Sequence, residues 1–224
     1  MRRAALPLIA VTAAVLSGCG GQQNSAVSEG KPSWQSTAAS HGAAGHGSTP
    51  QDSAALATGE ITNPEGKKVG TVELAKADQG MTVRVTTDGL PPGFHGMHLH
   101  AVGKCEADSH DPKDPQKKGH HLSSGGHLAA AGQSHPDHDG DLPVLYVGKD
   151  GRGKISTLTD RIKESHLDAA AGLSMIIHNN PDNYANIPTR YAPNGPDAET
   201  KAAGDSGPRI GCAVLKKKDA GGGH

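Results

Sequence analysis

The sequence predicts an all-β domain, an eight-stranded antiparallel Greek-key barrel or sandwich with two long functional loops. Three observations lead there. First, only 2% of the 224 residues are aromatic, while 31 are Gly and 15 are Pro, which argues against a large helical core and for a loop-rich β fold. Second, short runs with a two-residue hydrophobic period recur between Gly, Pro and Asp turns. Third, two polar stretches, 103–140 and 179–208, are longer than the connections of a compact domain usually are unless they carry function.

The N-terminus, "MRRAALPLIAVTAAVLSGC", has a charged start at Arg2 and Arg3 and an apolar run too short to span a bilayer comfortably. Small residues before Cys19 resemble a bacterial lipoprotein signal, which implies cleavage before Cys19 and lipid on that residue. An ordinary secretory signal with an incidental cysteine is the alternative. On either reading the chain leaves the cytoplasm, where disulfides are permitted. A stretch rich in Gly, Ser, Ala and His follows and reads as a flexible tether; its His41 and His46 read as solvated linker residues.

Strands are expected at 55–61, 68–74 and 81–86. In "MTVRVTT", Met81, Val83 and Val85 share one face and Arg84 takes the other. "HGMHLHAV" reads as a fourth strand, "LPVLYVGKDGRGKISTLT" as a hairpin turning near Asp150 and Gly151, "LSMIIHN" as another strand and "RIGCAVLKK" as the last. The net charge of −1 gives no reason to expect a nucleic-acid binder held by bulk positive charge.

The 14 histidines are the outlier, since neutral imidazole is the commonest protein metal ligand. On a strand His98 and His100 point the same way, a preformed two-nitrogen chelate, while Leu99 points into the core. His95, on the opposite parity to His98, is expected to bond backbone. His127, His135, His138 and Asp141 fall within fifteen residues, and three nitrogens with one carboxylate suit four-coordinate Zn²⁺. His178 ends a strand, and taken alone it reads as structural. His110, His120, His121, His166 and His224 are expected to be solvated. With Cys19 lipidated, Cys105 and Cys212 remain as an even pair, and a disulfide is the default. A loop of about a hundred residues closed in this way gains ~4–5 kcal/mol in the chain-entropy model, before strain.

Six spaced elements, "GFHGMHLHAVGKC", "GGH", His135 eight residues on, "HDGDL", "IIHNNPD" and "GDSGPRIGC", resemble the copper/zinc superoxide dismutase family in its exported bacterial form, over about residues 55–217. The resemblance implies copper held by His98, His100, His127 and His178, and zinc held by His127, His135, His138 and Asp141. His127 would bridge the two metals. Asp182 would link a copper histidine to a zinc histidine, Arg209 would stand beside copper and receive the superoxide anion, and Cys105–Cys212 would be the family disulfide. The implied activity is dismutation of superoxide to O₂ and H₂O₂, with His127 carrying a proton on its copper-side nitrogen. Imidazoles tolerate both copper oxidation states.

The implied organisation is a signal peptide (1–18), a tether (19–53), a dismutase domain (54–218) and a frayed tail (219–224), anchored in the cell envelope through Cys19. Homodimerisation is open. Some positions depart from the family pattern: Leu128 stands where an aromatic is common, His121 precedes Leu122 where a Phe is usual, and the 106–121 loop does not carry over. Lys201 is a candidate for an additional guiding charge. The competing reading is a non-enzymatic copper or zinc buffer, which would have no use for an arginine beside copper or for Asp182.

Overall fold

A computed structural model describes residues 54–218. Cys19, His41, His46, His224, the signal segment and the tail lie outside the described residues. Among the described residues no helix is long and apolar enough to cross a membrane.

Among the described residues eleven strands occur in chain order: β1 (Ala55–Thr62), β2 (Lys68–Ala77), β3 (Gly80–Asp88), β4 (Gly93–His95), β5 (Met97–His100), β6 (Ser109–His110), β7 (Lys118–Gly119), β8 (Leu145–Val147), β9 (Arg152–Thr159), β10 (Leu173–His178) and β11 (Arg209–Lys217). Nine form one antiparallel sheet in the order β4-β8-β9-β3-β2-β1-β11-β10-β5. Its end strands, β4 and β5, are consecutive in the chain and are separated only by Gly96. The sheet therefore nearly closes on itself, which is the barrel the alternating pattern implies. The expected fourth strand is split at this residue: β4 pairs with β8 and β5 pairs with β10. Glycine is required there because a Cβ at position 96 would lie 2.5 Å from Ser206 Oγ and 2.9 Å from Ser206 Cβ.

The alternation holds in β3, where Met81, Val83 and Val85 are buried. They join Ile61, Val72, Leu74, Leu99, Leu145 and Met175 in the barrel core. In β5 and β10 every residue is buried, because the two long loops cover the outer face of these strands as the core covers the inner one. The strand count exceeds eight partly because β6 and β7 form a two-residue hairpin inside the 106–121 loop. Its polar residues carry no hydrophobic period that would announce a strand.

Candidate metal centre

The site begins with β5. His98 and His100 face outward from the barrel while Leu99 enters the core. The loop that follows is stitched back along this strand: Leu128 N–H donates to Leu99 O at 2.8 Å, and Leu99 N–H donates to Gly140 O at 2.9 Å. Gly140 permits the approach, since a Cβ there would meet Leu99 O at 2.3 Å. This stitching sets His127 beside His100 and Asp141 beside His98. From the other side, β10 delivers His178 at its last position.

The ligating atoms of His98, His100, His127 and His178 all lie within 4.8 Å of one another. In each ring the second nitrogen is already engaged. His98 Nε2 meets Asp182 Oδ2 at 2.7 Å, His100 Nδ1 meets Gly125 O at 2.8 Å, His178 Nδ1 meets Gly207 O at 2.8 Å and His127 Nδ1 meets Asp141 Oδ1 at 2.7 Å. The remaining nitrogens, His98 Nδ1, His100 Nε2, His127 Nε2 and His178 Nε2, are buried and have no protein partner. Leaving one such group unsatisfied costs about 1–3 kcal/mol. Four converging lone pairs match what a soft-to-borderline cation accepts, so the residues fit a bound copper ion.

A second group adjoins the first. Ligating atoms of His98, His127, His135 and Asp141 also lie within 4.8 Å of one another. His135 Nδ1 is 2.9 Å from Asp141 Oδ2, and His138 Nδ1 is 3.2 Å from His127 Nδ1 and 3.3 Å from Asp141 Oδ2. Of the four residues expected at the zinc site, His127, His135 and Asp141 meet, while His138 stands at the rim, reaching His127 and Asp141. Asp182 spans both groups, since its Oδ1 takes His135 Nε2 at 2.7 Å while Oδ2 takes His98. Tyr184 N–H donates to Asp182 Oδ1 at 2.7 Å, and the Tyr184 ring lies parallel to His135.

Burial holds His100 and His178 well below the ordinary histidine value. Burial also lowers His98, against the opposing hydrogen bond to Asp182, and takes His127 to about 4, against Asp141. His135 goes the other way: burial would lower it, but hydrogen bonds with Asp141 and Asp182 outweigh that and raise it to about 9. Burial disfavours the charge on Asp141 and Asp182, yet their histidine partners hold both well below the usual carboxylate range.

Arg209 opens β11 and pairs with His178 across the sheet. Its Nη1 donates to His121 O and Ser124 Oγ and its Nη2 to Gly125 O, each at 2.8 Å. Burial lowers it to about 10, so it stays charged at neutral pH. Three residues on, Cys212 forms a disulfide with Cys105, which ties this strand to the segment after β5. Arg209, His100, His127 and His178 line one cavity of about 520 Å³.

His95 behaves as expected: its nitrogens meet His178 O and Pro91 O, each at 2.8 Å. One expectation is corrected. His121 is buried, at 1% exposure, with φ 56°, because its turn aims its carbonyl at Arg209 and packs its ring inward. Lys117 and Lys118, from the 106–121 loop, line the cavity, while Lys201 is exposed outside its lining. Sequence reasoning also missed Arg161 and Tyr184, which touch the site by contacts that no spacing rule marks.

The fold and these side chains define a small β-barrel metalloprotein with two adjoining ligand groups that share the His98 and His127 imidazoles. The chain belongs to the copper/zinc superoxide dismutase family: residues 68–215 match the family described as copper/zinc superoxide dismutase (SODC). It is 38% identical to the Cu-Zn superoxide dismutase of Mycobacterium tuberculosis over 91% of this chain and 88% of that one. It is 31% identical to the Escherichia coli K12 enzyme of the same name, over 67% and 80%. Among solved structures, the Cu/Zn superoxide dismutase from Brucella abortus superposes with a TM-score of 0.56 at 28% identity, covering 71% of this chain and 98% of that one.

Proposed function

We propose that this chain dismutates superoxide to O₂ and H₂O₂ with copper held by His98 Nδ1, His100 Nε2, His127 Nε2 and His178 Nε2. In the same reading zinc is held by His127, His135, His138 and Asp141. The observation that carries the assignment is the set of four buried histidine nitrogens that converge without protein partners. Copper held by these residues would supply the one-electron couple that the reaction needs.

The chain's own residues do the rest. Arg209 presents a fixed cation to a small anion at the cavity that His100, His127 and His178 line. Its guanidinium is held at three points, so it is positioned before the substrate arrives. His127 Nε2 accepts a proton when it is free and passes it to the peroxide product, while the ring is kept in place from its Nδ1 side by the zinc-side residues. Asp182 fixes the orientation of His98 and His135 together, the role that outer carboxylates play for ligating histidines.

The lipobox-like run before Cys19 supports a mature protein anchored by lipid in the cell envelope. A metal buffer would have no use for a thrice-bonded arginine facing the same cavity as the histidines. Metal analysis of the purified protein together with a superoxide-consumption assay tests the reading. Stoichiometric copper and zinc without consumption of superoxide would leave the buffer reading standing.

A further inference from the structure

We propose that Arg161 is a positioning residue that holds the zinc-side histidines by clamping the segment between them; this rests on the zinc reading above. Arg161 lies just beyond β9, in a stretch that belongs to neither long loop. Its Nη1 donates to Pro136 O at 2.7 Å and to His138 O at 3.3 Å, and its Nη2 reaches Asp137 Oδ1 at 3.2 Å. One guanidinium thus touches Pro136, Asp137 and His138, the three residues that follow His135.

The geometry shows why this segment depends on an outside support. His135 N–H is tied to Lys201 O, Asp137 N–H to Ser134 O, and Asp141 N–H to His138 O. Among the described hydrogen bonds, Pro136 O receives only Arg161. His138 is the rim member of its group, meeting His127 and Asp141 at 3.2 and 3.3 Å. Its backbone position decides whether its ring reaches the other three ligands. Nη1 alone meets both carbonyls while Nη2 turns to Asp137, a rigid arrangement that a lysine ammonium on its flexible stem does not reproduce. The link to Asp137 is exposed, and such surface pairs contribute little, so the two carbonyl contacts carry the effect.

The experiment uses the full-length metal-loaded protein and four variants: Arg161→Ala, Arg161→Lys, Asp137→Ala and His138→Ala. Zinc transfer to a chromophoric chelator is timed, copper content is measured, and the urea midpoint is taken on zinc-free samples. Arg161→Ala should release zinc about tenfold faster, the low end of the effect of lost outer partners, with copper content and zinc-free stability unchanged. Arg161→Lys should fall between it and wild type, and Asp137→Ala should stay near wild type. Wild-type release from Arg161→Ala, with zinc lost from His138→Ala, would overturn the clamp alone. An equal fall in zinc-free stability would also overturn it, by making Arg161 a general structural residue. Zinc retained by His138→Ala at wild-type affinity would instead remove the zinc reading beneath it.

Discussion

His100 and Arg209 share a single acceptor: Gly125 O takes His100 Nδ1 and Arg209 Nη2, each at 2.8 Å. The carbonyl that orients the His100 imidazole therefore also places the Arg209 guanidinium, the cation proposed to receive superoxide. Gly125 adopts φ 72° to turn this carbonyl inward, a conformation that glycine enters without steric cost.

Arg209→Ala should leave both metals and the fold in place yet lower superoxide turnover by about tenfold, the low end of electrostatic focusing effects. Arg209→Glu should fall further, and Arg209→Lys should lie between wild type and Ala. The gaps should narrow as salt rises, with a Debye length of ~10 Å at 0.1 M. Lys117→Glu, changed at the cavity wall, should lower the low-salt rate more modestly. Superoxide decay against ionic strength at matched copper content is the measurement. Equal rates across the series would remove Arg209 from the mechanism.

His138→Ala should empty zinc while copper still binds. The melting temperature should fall, because a ligand bound only by the native state stabilises it by mass action. One zinc per chain at wild-type affinity would show that His138 is not a ligand.

Asp182→Asn keeps the size of the side chain but removes a charge that both His98 and His135 contact. Metal affinity should drop about 10–100-fold, with zinc retention and copper geometry changing together. Titration of each metal against a competing chelator would read this. A change confined to one metal would mean that the two groups are not coupled through Asp182.

Acid should destabilise the metal-free protein before its carboxylates titrate. His98, His100, His127 and His178 have folded values below the ordinary 6.5, so the unfolded chain binds more protons as pH falls below 6.5. For His127 this loss runs down to about 4. His135 has the opposite sign: its contribution is complete below 6.5 and is lost as pH rises through about 9. Asp141 and Asp182, held low, add a further loss below 3.8. Urea midpoints of the metal-free protein should therefore drop between pH 6.5 and 4. A flat profile there would contradict the burial of neutral histidines.

Cys19→Ala should convert a detergent-partitioning protein into a soluble or unprocessed one. Wild-type protein found wholly in the aqueous phase would end the lipid-anchor reading.

Much of this protein was legible in the chain itself. Period-2 runs such as "MTVRVTT" announced strands because a strand with one buried face must alternate. The His98/His100 pair and the His127–Asp141 cluster were legible because their ligands lie close together in sequence, and the cysteine pair because only two remained after Cys19. His178, taken alone, read as an ordinary strand end; only family likeness suggested otherwise, since its partners lie more than fifty residues upstream. Tertiary structure alone decided which nitrogen of each ring is free, because that depends on carbonyls such as Gly125 O and Gly207 O brought in by distant loops. It alone split the fourth strand at Gly96, where pairing passes from β8 to β10 and the approach of Ser206 leaves room only for glycine. It alone buried His121 and set Arg161 against the Pro136–His138 backbone. Such contacts run from side chain to main chain, and a carbonyl oxygen leaves no mark in the residue alphabet.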